Sequence, residues 1–487
     1  MSYLLCNTEM SIAEKLAVNM GISNEVMMEA AGWQVAVAIR KRFKPRLVHV
    51  LCGPGNNGGD GFVVARLLTS WGWAVRLFLL VQVDQLRNDV IIMAERWCGS
   101  ILPLTIESLN GNPLIVDALF GSGLTRPLDG LVRGIIEEIN VRHLDVVSID
   151  IPSGVNGNDG QVLGVSARAC LTVTFFRPKP GHFLLPGRLF CGELVIANIG
   201  IPEIVLDTIA PKIFMNTPFL WYNKIKWPKP EDHKYNRGHL LVSGGAILTG
   251  AAWLVAMAAR RVGAGLVTLV VPEEKTDVYR SNHSGIMVQS ISSWRQLILD
   301  RRVKATVIGP GLGVGCVTKN LVIDALSADK QCVIDADALT SFSDDPQVLW
   351  NLGKIPVLTP HDGEFVRLFS YQGDRLTRAS SAAASSGAVI LLKGSDTVVA
   401  SPDGRAAILV EALPVLASGG TGDVLSGLIG GLLAQGMSPF DASCFGSWLH
   451  ARASQIVGLG LIAEDLINVI PTILQNLTDE NISLFSQ

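Results

Sequence analysis

The chain carries little charge, and this shortage excludes several classes of protein. Only 17% of its 487 residues are Asp, Glu, Lys or Arg, whereas 48% are hydrophobic. A disordered chain needs more charge than this, and the apolar residues suffice for sizeable cores. The formal net charge of −3 gives the whole chain no attraction to nucleic acid or to an anionic membrane. We therefore expect a globular protein that acts on small molecules.

Paired cysteines and a secretion signal are also lacking. The eight cysteines form no C-x-x-C pair, and no histidine cluster accompanies them to complete a metal site. Scattered cysteines of this kind are typical of small buried residues in a reducing compartment. The N-terminus has no basic start followed by an apolar core, so it does not resemble a secretory signal. These features predict a cytoplasmic protein.

One long apolar stretch resembles a membrane span at first sight. The residues from Gly238 to Ala259 include no charge, but Gly244 and Gly245 divide the stretch. A strand, a glycine turn and a helix explain this pattern better than one spanning helix does. We therefore expect no membrane as a partner.

Short apolar runs alternate with longer amphipathic stretches in both halves of the chain. The first half opens with helical spacing at 12–43, and its runs lie at 47–52, 75–81, 114–120, 145–151, 171–176 and 193–199. In the second half the runs lie at 239–243, 266–271, 305–309, 332–336, 356–360 and 388–393. Such alternation predicts mostly parallel sheets covered on both faces. The irregular stretch 211–230 places a boundary near residue 225, between domains 1–225 and 226–487.

Four unusual loops follow predicted strands of the first half, at the edge where open α/β sheets bind ligands. The first, 53–62, contains five glycines together with Asn56, Asn57 and Asp60, and a helix is expected from Val63. Glycines let the backbone approach a ligand closely, and a helix N-terminus beside them suits phosphate. The loop lacks the Lys-Ser/Thr ending of a P-loop. The other three loops are 117–130, 150–157 and 177–182.

Three acidic residues stand in these loops, namely Asp60, Asp117 and Asp150. An Asp at a strand end often only caps the next turn. Three aspartates at one edge of a sheet favour a functional site over three separate turn caps. In the fourth loop we interpret Lys179 and His182 as structural or peripheral residues.

The segments GPGNNGGDG, VDALFGSGLTRPLDG and SIDIPSGVNG resemble the motifs of NAD(P)H-hydrate epimerase domains over about residues 10–215. The resemblance implies a Rossmann-like sandwich that binds the hydrated cofactor, with Asp150 beside the nicotinamide ring as catalytic acid and base. It also implies a potassium ion held by Asn57, Asp117 and Ser153, whose oxygens suit a hard cation. The implied substrate-binding residues are Asn56, Asn57, Gly58, Gly59, Asp60, Gly121, Ser122, Gly123, Leu124, Thr125, Arg126, Pro127 and Asp150.

The second half contains a late glycine-rich loop, 417–423, before a predicted helix at 424–436. Its glycines free backbone N–H groups at the helix N-terminus for an anion hole. Asp423 can accept a proton from a substrate hydroxyl during phosphoryl transfer, or it can simply cap the helix. The ammonium group of Lys393 can bind a negatively charged phosphate. His361 can position a substrate or serve as a hydrogen-bonded turn residue.

The motif ASGGTGDVLSG, with RGHLLVSGG, VIGPGLG, LTPHDGEF and LLKGSDT, is similar to ADP- or ATP-dependent NAD(P)H-hydrate dehydratases over about residues 230–480. The resemblance implies a ribokinase-like fold, so we expect two three-layer α/β/α domains in the chain. It also implies magnesium and ADP or ATP as cofactors. The implied contacts are Ala251, Gly313, His361 and Asp423 for the hydrated cofactor, and Lys393, Gly394, Ser395, Asp396, Thr397 and Gly422 for the nucleotide.

Together the two resemblances imply a bifunctional repair enzyme for hydrated NADH and NADPH. The first domain would epimerise the R and S hydrates. The second would phosphorylate the C6 hydroxyl of the S hydrate, because phosphate leaves more easily than hydroxide. Two alternatives stay open: a vitamin-precursor or sugar kinase fused to an epimerase-like binding domain, and a first half that is only a scaffold. We also expect homo-oligomers, although no stretch specifies their symmetry or a preference for ADP over ATP.

Overall fold

The computed structural model describes residues 3–87, 89–281, 285–350, 354–410 and 413–479, and it divides the chain into two compact units. The first unit is Tyr3–Ile213, and the second begins at Phe214. Trp221 and Tyr222 lie ahead of the expected boundary near residue 225 and belong to the apolar core of the second unit. The irregular stretch therefore packs largely with the second unit.

The first unit is built on a parallel sheet. In spatial order its described strands are Ile101–Pro103, Ala74–Leu79, Leu47–Cys52, Leu114–Ala118, Val146–Ile149, Leu171–Phe175 and Glu193–Ala197. The order reverses between Leu47–Cys52 and Leu114–Ala118, and open sheets bind ligands at such a point. Each predicted strand of this half is confirmed. The sequence pattern missed the edge strand Ile101–Pro103 because two of its three residues are exposed.

Both faces of this sheet are covered, because alternate strand residues point to opposite sides. Val48 and Val50 join a core that includes the helix Asn24–Arg42, whereas Leu51 joins a separate core with the helix Gly130–Val141. The three layers expected for this domain are therefore present. The other helical segments of the unit are Asn7–Asn19, Asn56–Ser70, Val83–Gln85, Asp89–Glu95, Ile106–Leu109, Pro180–His182, Arg188–Cys191 and Val205–Ile209, and Tyr3–Leu4 is a short strand.

The glycine-rich loop of the first unit is mostly helical, which corrects the expected helix start at Val63. The helix begins at Asn56. A Cβ on Gly58 would lie 1.9 Å from the Gly53 carbonyl oxygen, and one on Gly61 would lie 2.7 Å from the Ala118 Cβ. These glycines thus serve close packing of the helix on the sheet and its loop.

The second unit also has a largely parallel sheet, extended by an antiparallel hairpin. In spatial order its described strands are Met287–Ser290, Leu266–Val271, His239–Ser243, Val303–Ile308, Gln331–Ile334, Val357–Leu358, Val389–Leu392, Val398–Ala400 and Ala406–Ile408, with Ile213–Met215 next to the last. The order reverses between His239–Ser243 and Val303–Ile308. All six predicted strands of this half are confirmed, as is the α/β class of both domains.

The glycine loop of the second half leads into the helix Thr421–Ala434, which places Asp423 in its first turn as predicted. None of the helices in the described ranges is both long and apolar enough to cross a bilayer. The remaining helical segments are Pro218–Trp221, Tyr222–Lys224, Thr249–Arg261, Glu273–Lys275, Thr276–Arg280, Ile291–Ser293, Trp294–Leu299, Cys316–Ser327, Asp337–Ser341, Pro346–Leu349, Asp362–Leu368, Arg375–Ser386, Pro414–Leu416, Pro439–Val457 and Ala463–Asp479.

Candidate active sites

A cavity of about 550 Å³ lies at the strand-order reversal of the first unit. The predicted residues that line it are Asn56, Asn57, Asp60, Gly121, Ser122, Gly123, Leu124, Thr125, Arg126 and Asp150. The structure thus brings together three of the four loops singled out by the sequence, and Lys179 of the fourth joins them. Gly58, Gly59 and Pro127 do not line it. Gly59 packs instead against the side chain of Met28.

Asp150 forms an ion pair with Lys179 at this cavity. The Lys179 ammonium, 1% exposed, donates to Asp150 Oδ1 at 2.6 Å, and the Ser122 N–H donates to Oδ2 at 3.1 Å. Burial opposes ionisation of the carboxyl, but the lysine outweighs it and lowers the pKa of Asp150 to about 2. Asp150 is therefore a carboxylate at neutral pH. Lys179 lines the cavity and also holds the Asp150 carboxylate, so its interpretation as a structural residue stays a prediction.

His182 holds the backbone on both sides of this ion pair. Its Nδ1 accepts from the Lys179 N–H at 2.9 Å, so its Nε2 carries the proton and donates to the Asp150 carbonyl oxygen at 2.9 Å. Burial lowers the pKa of His182 to about 4, so the ring is neutral. The structural interpretation of His182 fits these contacts.

The N-terminal helix Asn7–Asn19 supplies a wall of the cavity that the sequence pattern did not reveal. Asn7, Ser11 and Glu14 line it, and Asn7 Nδ2 donates to the Ser122 carbonyl oxygen at 2.6 Å. Polar residues at positions i, i+4 and i+7 share one helix face, and this spacing was the available signal. Burial, followed by the charge of Asp150, raises the pKa of both Glu14 and Asp60.

Of the predicted potassium set, Asn57 lines the cavity, whereas Asp117 and Ser153 are almost fully buried. The Asp117 carboxylate accepts from the Ser153 hydroxyl at 2.6 Å, the Ser153 N–H at 2.8 Å and the Ser148 hydroxyl at 3.2 Å. The Ser153 hydroxyl also accepts from the Phe120 N–H at 2.9 Å, next to the cavity loop. Asn57 is buried, and among the described residues neither its amide oxygen nor its amide nitrogen has a hydrogen-bond partner. Such an unpaired amide is unusual, and its oxygen is free to accept a ligand.

The second unit has a cavity of about 470 Å³ between the loop after Val389–Leu392 and the start of the helix Thr421–Ala434. The predicted residues that line it are His361, Lys393, Gly394, Ser395, Thr397 and Gly422. An apolar wall faces this polar set and comprises Leu409, Leu413, Pro414, Leu416 and Leu425. Asp396 does not line the cavity, and its carboxylate accepts from Arg375 Nε at 2.8 Å.

Lys393 and Asp423 belong to a charged network centred on Asp335, a residue that the sequence pattern did not single out. Asp335 accepts from Lys393 Nζ at 2.8 Å and from the Ser426 hydroxyl at 2.7 Å. Burial, followed by repulsion from Asp335, raises the pKa of Asp423 to about 6. Burial alone would lower the pKa of Lys393, but Asp335 and Glu364 outweigh it and raise the pKa. Asp423 is thus a carboxyl that exchanges a proton near neutral pH.

Three predicted contacts for the hydrated cofactor do not line this cavity: Ala251 on the helix Thr249–Arg261, Gly313 on the loop after Val303–Ile308, and Asp423. A Cβ on Gly311 would lie 3.1 Å from the Ala251 Cβ. The Gly313 N–H donates to Asp337 Oδ2 at 2.8 Å, and the charge of Asp337 also acts on Asp423. His361 caps the helix Asp362–Leu368, since its Nδ1 accepts from the Gly363 N–H at 2.9 Å. It is therefore a hydrogen-bonded turn residue that also lines the cavity.

Comparisons with known proteins cover both units. Residues 239–471 match the family model described as NAD(P)H-hydrate dehydratase, and residues 24–181 match the model described as YjeF-related protein N-terminus. A bifunctional NAD(P)H-hydrate repair enzyme of Moorella thermoacetica is 35% identical, with 98% of each chain covered. The Escherichia coli protein of the same description is 32% identical, with 95% of this chain and 92% of that one covered. Among solved structures, the ADP/ATP-dependent NAD(P)H-hydrate dehydratase from Bacillus subtilis, co-crystallised with ATP/Mg²⁺, is 27% identical, with a TM-score of 0.49 over 54% of this chain and 98% of that one.

Proposed function

The chain belongs to the family of bifunctional NAD(P)H-hydrate repair enzymes, and from this premise we propose that it restores hydrated NADH and NADPH. The first unit epimerises the R and S hydrates, and the second dehydrates the S hydrate with ADP or ATP. The observation that carries this proposal is Asp423, a carboxyl poised near neutral pH beside Lys393 at a glycine-rich helix N-terminus. The test supplies each pure epimer, with and without nucleotide, and follows the return of NADH absorbance. Recovery from the S hydrate without nucleotide would contradict it.

In the first unit we assign acid catalysis to Lys179. Epimerisation requires the C6 hydroxyl to leave as water, pushed by the ring nitrogen, and water to return on the other face. A carboxyl with a pKa of about 2 holds no proton to give at neutral pH, whereas the adjacent ammonium does. Lys179 would protonate the leaving hydroxyl and recover the proton from the returning water. The Asp150 carboxylate would stabilise the positive iminium formed in between.

In the second unit Asp423 acts as the base for phosphoryl transfer. It would accept the proton of the C6 hydroxyl while the backbone N–H groups of Gly420 and Gly422 and the Lys393 ammonium stabilise the transferring phosphoryl group. Phosphate then leaves with the push of the ring nitrogen. Within the described residues no group of three His, Cys, Asp or Glu side chains is arranged for a metal. We also propose magnesium as a cofactor, which would supply positive charge to the nucleotide phosphates beside Lys393.

We also propose that potassium binds at Asn57, Asp117 and Ser153. The unpaired amide of Asn57 supports this, because a hard cation would take its oxygen and the oxygens of Asp117 and Ser153. The eight cysteines are all unpaired, which supports a cytoplasmic location for the enzyme. Self-association of the chain stays a prediction.

Potassium should raise the thermal stability of the first unit through Asn57. At about 100 times its Kd the ion should raise the melting temperature by about 5 °C relative to tetramethylammonium at equal ionic strength. In Asn57→Leu we expect no response, because the amide oxygen is lost. Asn56→Leu is the matched control from the same turn, and it should keep the full response. Equal responses in both variants, measured by calorimetry, would place the ion elsewhere.

The dehydration rate should depend on pH through Asp423. Since only the ionised carboxylate accepts a proton, kcat/KM should rise with pH through about 6 and level off above it. Below that value it should fall about tenfold for each pH unit. The epimerisation rate of the same protein should show no inflection near pH 6 from this group. A dehydration profile that is flat between about pH 5 and 8 would exclude Asp423 as the base.

A further inference from the structure

One side chain in the cavity of the second unit has no role in the chemistry described above. His450 lies on the helix Pro439–Val457 and lines this cavity together with Lys393 and Gly422. Its side chain is only 8% exposed. Its Nε2 is buried and has no hydrogen-bond partner among the described residues. A buried ring nitrogen without a partner destabilises the free protein, so it points to a ligand group that satisfies it.

The protonation state of His450 decides what that ligand group must be. Burial lowers its pKa to about 4, so the ring is neutral at physiological pH. A hydrogen bond with the Thr421 backbone acts in the opposite direction and raises the pKa, which identifies the Thr421 carbonyl as its acceptor. The single ring proton therefore points at Thr421. Nε2 is left with a lone pair, and it can only accept a hydrogen bond.

The surroundings of His450 indicate which part of a nucleotide carries the donor. His450 and Ser447, which lie one turn apart on the same face of their helix, line the cavity together with Leu409 of the apolar wall. A flat nucleobase suits such a wall, whereas phosphates suit Lys393 and the N–H groups at Gly422. The base, and not the phosphate chain, is therefore the part expected next to His450.

We propose that His450 is a specificity residue for the adenine base, whose exocyclic amino group donates a hydrogen bond to Nε2. This inference rests on the proposed binding of ADP or ATP in the cavity. Guanine and hypoxanthine carry a carbonyl oxygen where adenine has its amino group. With those bases an acceptor would face an acceptor, which leaves a buried polar atom unpaired and disfavours binding.

The test compares nucleotides and variants in the full-length protein, with dehydration of the S hydrate as the readout. We expect the wild type to prefer ADP over inosine diphosphate by about tenfold or more in kcat/KM. His450→Phe keeps the ring shape without the acceptor, so the KM for ADP should rise about tenfold, kcat should change little and the preference should disappear. His450→Gln presents an amide that can accept from adenine or donate to hypoxanthine, so it should use both nucleotides and lose most of the preference. Epimerisation should be unchanged in both variants.

Other outcomes separate failure of this inference from failure of the proposed function. If the wild type dehydrates with ADP but does not distinguish it from inosine diphosphate, the assignment to His450 is overturned and the nucleotide reaction stands. If His450→Phe instead removes a preference for ADP over 2′-deoxy-ADP, the donor is a ribose hydroxyl and the adenine assignment is wrong. If the Phe variant does not fold, a Gln variant that keeps the full wild-type preference for ADP also overturns it. Dehydration without any nucleotide would contradict the proposed function itself.

Discussion

Asp423→Asn should lower nucleotide-dependent dehydration by about 10³-fold and leave epimerisation at the wild-type rate. The substitution keeps the size and polarity of the side chain in the first turn of the helix Thr421–Ala434, but it removes the proton acceptor. KM for the nucleotide should change little, because the Lys393 ammonium and the glycine N–H groups remain. The measurement is recovery of NADH from the pure S hydrate with saturating ADP, beside interconversion of the two epimers in the same preparation.

Asp441→Asn is the matched control for this prediction. Asp441 is also acidic and stands in the first turn of its own helix, Pro439–Val457, whereas the charges of Asp335 and Lys393 act on Asp423. The Asp441→Asn protein should dehydrate the S hydrate at the wild-type rate. If Asp423→Asn keeps its dehydration rate and both variants lose the same thermal stability, Asp423 only caps its helix, which was the alternative reading of the sequence. Loss of both activities in Asp423→Asn would argue against two separate sites.

Lys179→Met should abolish epimerisation and also destabilise the first unit. Removing the ammonium takes away the proposed acid, at a cost of about 10³-fold in rate. It also leaves the Asp150 carboxylate, which is only 14% exposed, without its partner, at a cost of about 3–5 kcal/mol. The pKa of Asp150 should therefore rise from about 2. Chromatographic separation of the R and S hydrates measures the rate, and chemical denaturation measures the stability.

A double variant separates the two effects of Lys179. In Lys179→Met/Asp150→Asn no charge is left unpaired, so most of the lost stability should return while epimerisation stays absent. Lys15→Met, at an exposed lysine on the helix Asn7–Asn19, should change neither quantity. If the double variant recovers the epimerisation rate together with its stability, Lys179 is only a structural partner of Asp150.

The strands of both units could be predicted because each is a short apolar run, and burial on both faces of a parallel sheet requires such runs. The start of the helix Asn56–Ser70 could not be predicted. Glycine lowers helix propensity, and so the residues before Val63 were expected to form a loop. The close contacts at Gly58 and Gly61 show that tertiary packing decides this element.

The sites were predictable only where a motif is continuous in sequence. Lys179 lies 29 residues from Asp150, and the two meet because neighbouring strands bring their following loops together. Asp335 ends an apolar run and was counted with its strand, and His450 lies within a buried helix far from the glycine loop. Asp396, by contrast, belongs to a predicted motif, yet its carboxylate is paired with Arg375. Whether each of these residues belongs to a site depends on its neighbours in space, and the linear sequence pattern does not contain them.

The tight fit of Gly58 and Gly61 also fixes the position of one wall of the first unit's cavity. The helical segment that carries Asn56 and Asn57 packs closely against the Gly53 carbonyl and against Ala118, with no space for a Cβ at either glycine. Another wall belongs to the helix Asn7–Asn19, which is joined to the cavity loop at Ser122 through the side-chain amide of Asn7. The start of the chain thus meets the loops that follow the strands at one ligand site, so a substitution on the face of this helix that lines the cavity would alter the cavity even where it leaves the sheet and its glycine loop intact.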